Sequence, residues 1–140
     1  MKTTIKSTLS LILVLVLTVA FVSCGADKVD LWDNALYLED TQLGSGAKTV
    51  VVEVKAPDKQ VTFTVKTDKA TVGEALLEQG LIEGEQGQYG LYVKKVNGIT
   101  ADYDVDQSYW AFYVNGEYAM SGVDSTEITE GAIYQLEYTK

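Results

Sequence analysis

The sequence predicts an α+β domain, a small and mostly antiparallel β-sheet with one short helix packed on it. Three features carry that prediction. Val50, Val52 and Val54 share one face of a run that ends at Pro57-Asp58-Lys59, and Val61, Phe63 and Val65 then repeat the alternation, which is the pattern of a β-hairpin with a buried side. Thr71-Val72-Gly73-Glu74 has capping-box spacing, with Val72, Ala75 and Leu76 on one face and Gly80 placed to stop the helix. Asn97-Gly98 and Asn115-Gly116 each follow an apolar run, and this dipeptide tolerates the positive φ angles of a type I′ turn.

In chain order, Lys2 and Lys6 precede a mainly apolar block from Leu9 to Val22, shorter than the ~20 residues that a spanning helix needs. The pattern is that of a secretory signal. Ser23 directly before the chain's single cysteine, Cys24, resembles the lipobox of bacterial lipoproteins, whose cysteine is acylated and becomes the new N-terminus; Phe21 stands where that pattern prefers leucine. Residues 1–23 are therefore read as a lipoprotein signal peptide, 24–48 as lipid anchor and tether, and 49–140 as the folded domain. Within the tether, Leu31, Trp32, Leu36 and Leu38 interrupt the acids, so the stretch 31–38 is expected to dock on the domain, with Trp32 as a packing residue.

After the helix at 72–79, Glu83 to Gln88 reads as a polar, glycine-rich loop, and Tyr89 to Ile99 as a strand ending at the first Asn-Gly turn. A loop from Thr100 to Ser108 leads to the aromatic strand Tyr109 to Val114. Tyr118 to Val123 and Ala132 to Tyr138 supply the closing strands, with Ala132, Tyr134, Leu136 and Tyr138 on one face.

Composition excludes several chemistries. The chain has no histidine, and its one cysteine is assigned to the anchor, so Ser-His, Cys-His and zinc arrangements are absent. Neither a phosphate loop nor a dinucleotide fingerprint is present. A carboxylate pair would serve a glycosidase, yet among twenty acids some pair arises by chance. No enzyme is expected, and no cofactor. The net charge is −9, and loss of Lys2 and Lys6 with the signal peptide makes it −11. So acidic a surface repels nucleic acid and anionic headgroups, which leaves the lipid to hold the protein at the membrane. Asp102, Asp104 and Asp106 begin like a calcium loop, but Gln107 replaces the required glycine and Tyr113 the bidentate glutamate. A solvated acidic loop is the better account, and no metal site is assigned.

The aromatic strand is the candidate functional element. Trp110, Phe112 and Val114 point one way, and Tyr109, Ala111 and Tyr113 the other. One apolar face is enough for a core, so the second has either sheet packing or a ligand to meet.

The run Tyr89-Gly90-Leu91 through Val96-Asn97-Gly98-Ile99, followed by Tyr109-Trp110, Phe112, Asn115-Gly116-Glu117, Gly122-Val123 and Gly131, resembles the transcobalamin-like C-terminal domain family. The resemblance extends from about Thr49 to Tyr138. In the animal vitamin B12 carriers that domain closes over one face of the corrin, opposite a helical barrel. The resemblance therefore implies a cobalamin-type ligand, with contacts at Gln88, Tyr89, Gly90, Leu91 and Tyr92 and at Trp110, Phe112, Val114, Asn115, Gly116 and Glu117. Flat rings and glycine backbones suit a broad, amide-rimmed apolar plate. The 140 residues hold no counterpart of the barrel, so weaker binding is expected.

Two functions follow. One is a lipid-anchored binding protein at the bacterial cell surface that captures a cobalamin-like molecule and passes it to a membrane transporter. The other is a non-enzymatic module for protein or glycan contacts. Either way Cys24→Ser is expected to abolish membrane anchoring; detergent-phase partitioning measures this, and an unchanged distribution of the variant contradicts the lipobox reading.

Overall fold

The alternating valines form the hairpin that the sequence predicts. The computed structural model describes residues 30–140; the expected signal peptide and Cys24 lie outside them. A 3-10 turn, Leu31–Asn34, leads into β1 (Thr41–Gly44), and β2 (Lys48–Ala56) and β3 (Lys59–Thr67) make the hairpin. Helix α1 (Val72–Glu78) follows, then β4 (Ile82–Gly87), β5 (Gly90–Val96), β6 (Ile99–Thr100), a one-turn helix α2 (Tyr103–Asp106), β7 (Tyr109–Val114), β8 (Glu117–Tyr118), a second 3-10 turn (Val123–Ser125) and β9 (Ile133–Thr139). Among these described residues no helix is long and apolar enough to cross a membrane.

The strands form two sheets rather than one. The larger has the order β1-β3-β2-β9-β7-β8, and β4-β5-β6 form a second, three-stranded sheet. Pairing is antiparallel except for β1 with β3 and β2 with β9. Val50, Val52, Val54, Val61, Phe63 and Val65 on the inner face of the large sheet share one buried cluster with Val72, Ala75 and Leu76 of α1 and with Ile82, Val96 and Ile99 of the small sheet. The fold is thus two layers around a single core.

Helix α1 has only seven residues, too few to hold itself in water. Its start is fixed by the predicted capping box: the Glu74 N–H donates to Thr71 Oγ1, and the Thr71 N–H donates to the Glu74 carboxylate. Hydrogen bonds from the Thr71 and Ala70 backbone hold the Glu74 carboxyl below its ordinary pKa. The carboxylate half of the cap therefore acts fully above the unfolded carboxylate pKa and is lost as pH falls through the lowered folded value, while the Thr71 hydroxyl half does not titrate. A cap contributes about 1 kcal/mol, whereas burying a side chain such as Leu76 contributes about 1.5–3 kcal/mol. Packing, more than capping, holds α1 on the sheet.

Both Asn-Gly turns form as expected, with φ of 49° and 79° at Asn97 and Gly98, and 49° and 82° at Asn115 and Gly116. Asn97 has a second task. Its side chain is fully buried, accepts from the Tyr37 N–H (2.9 Å) and donates to the Tyr37 carbonyl (2.8 Å), while its own carbonyl accepts from the Leu36 N–H. A Cβ on Gly98 would lie 2.2 Å from the Asn34 carbonyl oxygen, so the N-terminal segment crosses this turn at a distance only glycine allows. Trp32 is buried in the core, as the sequence predicts for a packing residue, with the Lys59 ammonium 5.4 Å from its ring centre. The packed body reaches back through β1, inside the segment 24–48 read as tether.

Three segments depart from expectation. Residues 83–88, expected to be loop, lie mostly in β4: backbone pairing with β5 holds five exposed residues that have no apolar side chain to bury. Exposed ion pairs from Glu83 to Lys95 and from Glu85 to Lys94 cross the two strands. The stretch 118–123, expected to be strand, leaves the sheet after Tyr118, where Ser121-Gly122 breaks the alternation. The acidic loop at 100–108 contains α2, so two short helices stand where one was expected.

Candidate functional site

Antiparallel register with β9 sets Trp110 opposite Tyr138 and Phe112 opposite Leu136. The Trp110 and Tyr138 rings meet edge to face at 5.7 Å, and Phe112 stacks with Tyr134 at 6.2 Å. Trp110 and Phe112 belong to the core cluster and Val114 packs against it, whereas Tyr109, Ala111 and Tyr113 do not join it. Beyond Tyr109, which also borders the groove described next, the outer face meets its own sheet: Tyr113 contacts Tyr118 edge to face at 5.6 Å, and Ala111 is buried. This is the packing alternative for the second face of the aromatic strand.

A groove opens where the chain leaves β8. The Ala119 N–H still donates to the Phe112 carbonyl at 2.9 Å, but the following residues swing away until Val123 re-enters the core. Between this segment, β7 and the start of β5 lies a space of about 600 Å³ with Trp110 and Phe112 on one side, Tyr89, Leu91 and Tyr92 on another, and Tyr118 to Gly122 on the third. No charged side chain lines it. Tyr89 and Met120 stand at the rim almost wholly exposed, at 91% and 99%. Two other hollows, of about 470 and 450 Å³, include Glu83 and Lys95 in one and Lys55, Asp58, Lys59 and Glu137 in the other. Of these three, the aromatic groove offers a broad uncharged wall.

Asp124 holds two sides of this groove together. Its Oδ2 accepts the Leu91 N–H at 3.0 Å, tying the second 3-10 turn to the start of β5. Gly90, at φ 107°, makes room for it: a Cβ there would lie 2.9 Å from both carboxylate oxygens. Asp124 Oδ1 and Trp110 Nε1 are buried without a hydrogen-bond partner, each an unfavourable feature.

Of the residues singled out in the sequence, the structure brings Tyr89, Leu91, Tyr92, Trp110 and Phe112 to the groove. It does not bring Gln88, Gly90, Val114, Asn115, Gly116 or Glu117 to its lining. Asn115 instead fastens the next strand, its N–H donating to the Ile133 carbonyl and its side-chain oxygen accepting from the Ile133 N–H. Sequence reasoning missed Met120, Ser121, Gly122 and Asp124; the Ser-Gly dipeptide was the available indication that this stretch leaves the sheet.

The acidic run is occupied by local bonds. Asp102 Oδ1 caps α2 by accepting from the Asp104 N–H, and Asp106 accepts from the Ser108 hydroxyl and N–H and pairs with Lys140 at 3.3 Å. The Ser108 bonds, reinforced by Lys140, hold the Asp106 carboxyl below its ordinary pKa. Among the described residues no three His, Cys, Asp or Glu side chains group as a metal ion would require.

The geometry defines a small two-layer domain with an aromatic groove at the end of its large sheet. A family model described as "Domain of unknown function (DUF4430)" matches residues 69–140, just over half of the chain, and the protein belongs to that family. A suspected metal-binding protein from Ruminococcus gnavus ATCC 29149 is 32% identical, with a TM-score of 0.63 over 67% of this chain and 98% of that one. Haptocorrin, solved in complex with Cbi, shares the fold at a TM-score of 0.51 and 18% identity, over 70% of this chain and 27% of that chain. No curated protein matches.

Asp124 provides a direct test of how the groove is held. Asp124→Ala leaves the Leu91 N–H without its acceptor and is expected to cost about 1–3 kcal/mol, while Asp124→Asn keeps an acceptor oxygen and should cost less. Denaturant midpoints and amide exchange at Leu91 measure both; equal stability of the two variants contradicts the clamp.

Proposed function

We propose that this protein is a lipid-anchored extracellular binding protein whose aromatic groove captures, for uptake, a ligand of the cobalamin type by the flat apolar face of its ring. The observation that carries this reading is the groove itself: about 600 Å³, walled by Tyr92, Trp110 and Phe112, with no charged side chain in its lining. Ligand sites are typically concave, mostly apolar and of this order of size. The shared fold with haptocorrin, a protein solved with Cbi bound, supports the ligand class, as does the resemblance to the transcobalamin-like C-terminal domain family noted from the sequence.

The remaining parts of the proposal rest on sequence. Acylation of Cys24 would place the domain at the bacterial cell surface, and a membrane transporter would receive the ligand. The acidic composition disfavours nucleic acid as a partner. Binding rather than catalysis suits a groove lined by rings, aliphatic groups and hydroxyls. Without histidine, the protein has no imidazole to offer a cobalt centre, so a bound cobalamin keeps its own base or solvent on the metal.

Titration with cyanocobalamin, followed by tryptophan fluorescence, tests the site. Tyr92→Ala is expected to weaken binding about tenfold, the loss of one interface anchor, with little change in the denaturant midpoint because Tyr92 is substantially exposed. Tyr103→Ala, at an exposed tyrosine of α2 outside the groove lining, should leave affinity unchanged. Absence of saturable binding, or equal losses in the two variants, contradicts the proposal.

A further inference from the structure

The proposed function leaves Met120 unexplained. A large apolar side chain 99% exposed gains nothing from burial, yet this one stands on the rim of the apolar groove, among its lining residues. The chain is fastened on both sides of it. The Ala119 N–H is bonded to Phe112, and the Gly122 carbonyl accepts from the Ser125 N–H and the Thr126 hydroxyl. Between these anchors, Met120 and Ser121 make no hydrogen bond among the described residues. A flexible thioether so placed is suited to folding over an occupant and meeting aromatic surface.

Met120 is also the only sulfur atom among the described residues; the other methionine is Met1, and the one cysteine is Cys24. Susceptibility of methionine to peroxides follows exposure, and nothing shields this side chain. We propose that Met120 is an oxidation-sensitive lip of the groove, whose conversion to the sulfoxide by a hydroperoxide weakens retention of an apolar ligand. The sulfur lone pair attacks the terminal peroxide oxygen, the O–O bond breaks, and the S–O bond of the sulfoxide forms. Proton transfer completes water, or an alcohol from an alkyl hydroperoxide, so the peroxide is reduced by two electrons and the sulfur oxidised by two. The product is polar and chiral, and closing it over an apolar occupant strips its oxygen of water, with only tyrosine and serine hydroxyls in the groove lining to replace it. The inference rests on the reading of the groove as a ligand site.

The purified protein is treated with dilute hydrogen peroxide until mass spectrometry shows one added oxygen on the peptide containing Met120, then titrated with cyanocobalamin and, separately, with the neutral apolar dye Nile red. About a tenfold loss of affinity is expected, the scale of a lost sulfur–aromatic contact, with reversal by methionine sulfoxide reductase. Met120→Leu, which keeps an apolar side chain but lacks the thioether, should bind somewhat less tightly than the untreated protein and be indifferent to peroxide. Full sulfoxide formation with unchanged binding of both probes overturns the inference, as does an equal peroxide effect on Met120→Leu. If cyanocobalamin fails to bind untreated protein while Nile red binding falls on oxidation and is spared in Met120→Leu, the cobalamin reading fails and the oxidation-sensitive lip stands.

Discussion

The placement of β9 is the constraint on which the rest of the structure depends. The last strand of the chain lies between β2 and β7, parallel to one and antiparallel to the other, and so joins the N-terminal hairpin and the aromatic strand into a single sheet. Leu136 sits opposite Val54 on one side and Phe112 on the other, and Tyr134 sits opposite Val52 and Val114. Without β9, β7 and β8 would be a two-stranded ribbon, too small to be stable in water. The groove depends on the same strand, because its pairing sets the position and face of Trp110 and Phe112.

The groove exists because the sheet is incompletely covered. Helix α1 and the small sheet cover the valine hairpin, and the segment after β8 returns to the core only at Val123. Trp110 consequently serves both fold and site: it is 7% exposed and part of the core cluster, yet it borders the groove. The division between core residue and ligand residue that a strand pattern suggests does not apply to this side chain. More exposed groove residues such as Tyr92 separate the two roles.

Local rules made much of the fold legible. Alternation at Val50 to Val65, the capping box at Thr71 and the two Asn-Gly turns each act through a few neighbouring residues, and each forms as the chemistry dictates. What was not legible depends on distant partners. Nothing in Glu83 to Gly87 favours a strand until β5 lies beside it, and nothing in Thr41 to Gly44 announces a parallel partner in β3. The site divides in the same way. Aromatic residues at 89–92 and 110–112 mark themselves, but Met120 and Asp124 acquire meaning only when the chain after β8 folds back onto β5. Asn115 and Gly116, conspicuous in sequence, serve the turn.

The central claim is that the space between β5, β7 and the segment after β8 is where a ligand binds. Amide hydrogen exchange, measured with and without saturating cyanocobalamin, tests it most directly because it reports on this groove and on the two charged hollows at once. The account predicts slowed exchange at residues 89–93 and 119–123, with residues 55–60, 80–83 and 98–100 unchanged. Protection centred on either of the charged hollows, or none anywhere, would contradict it.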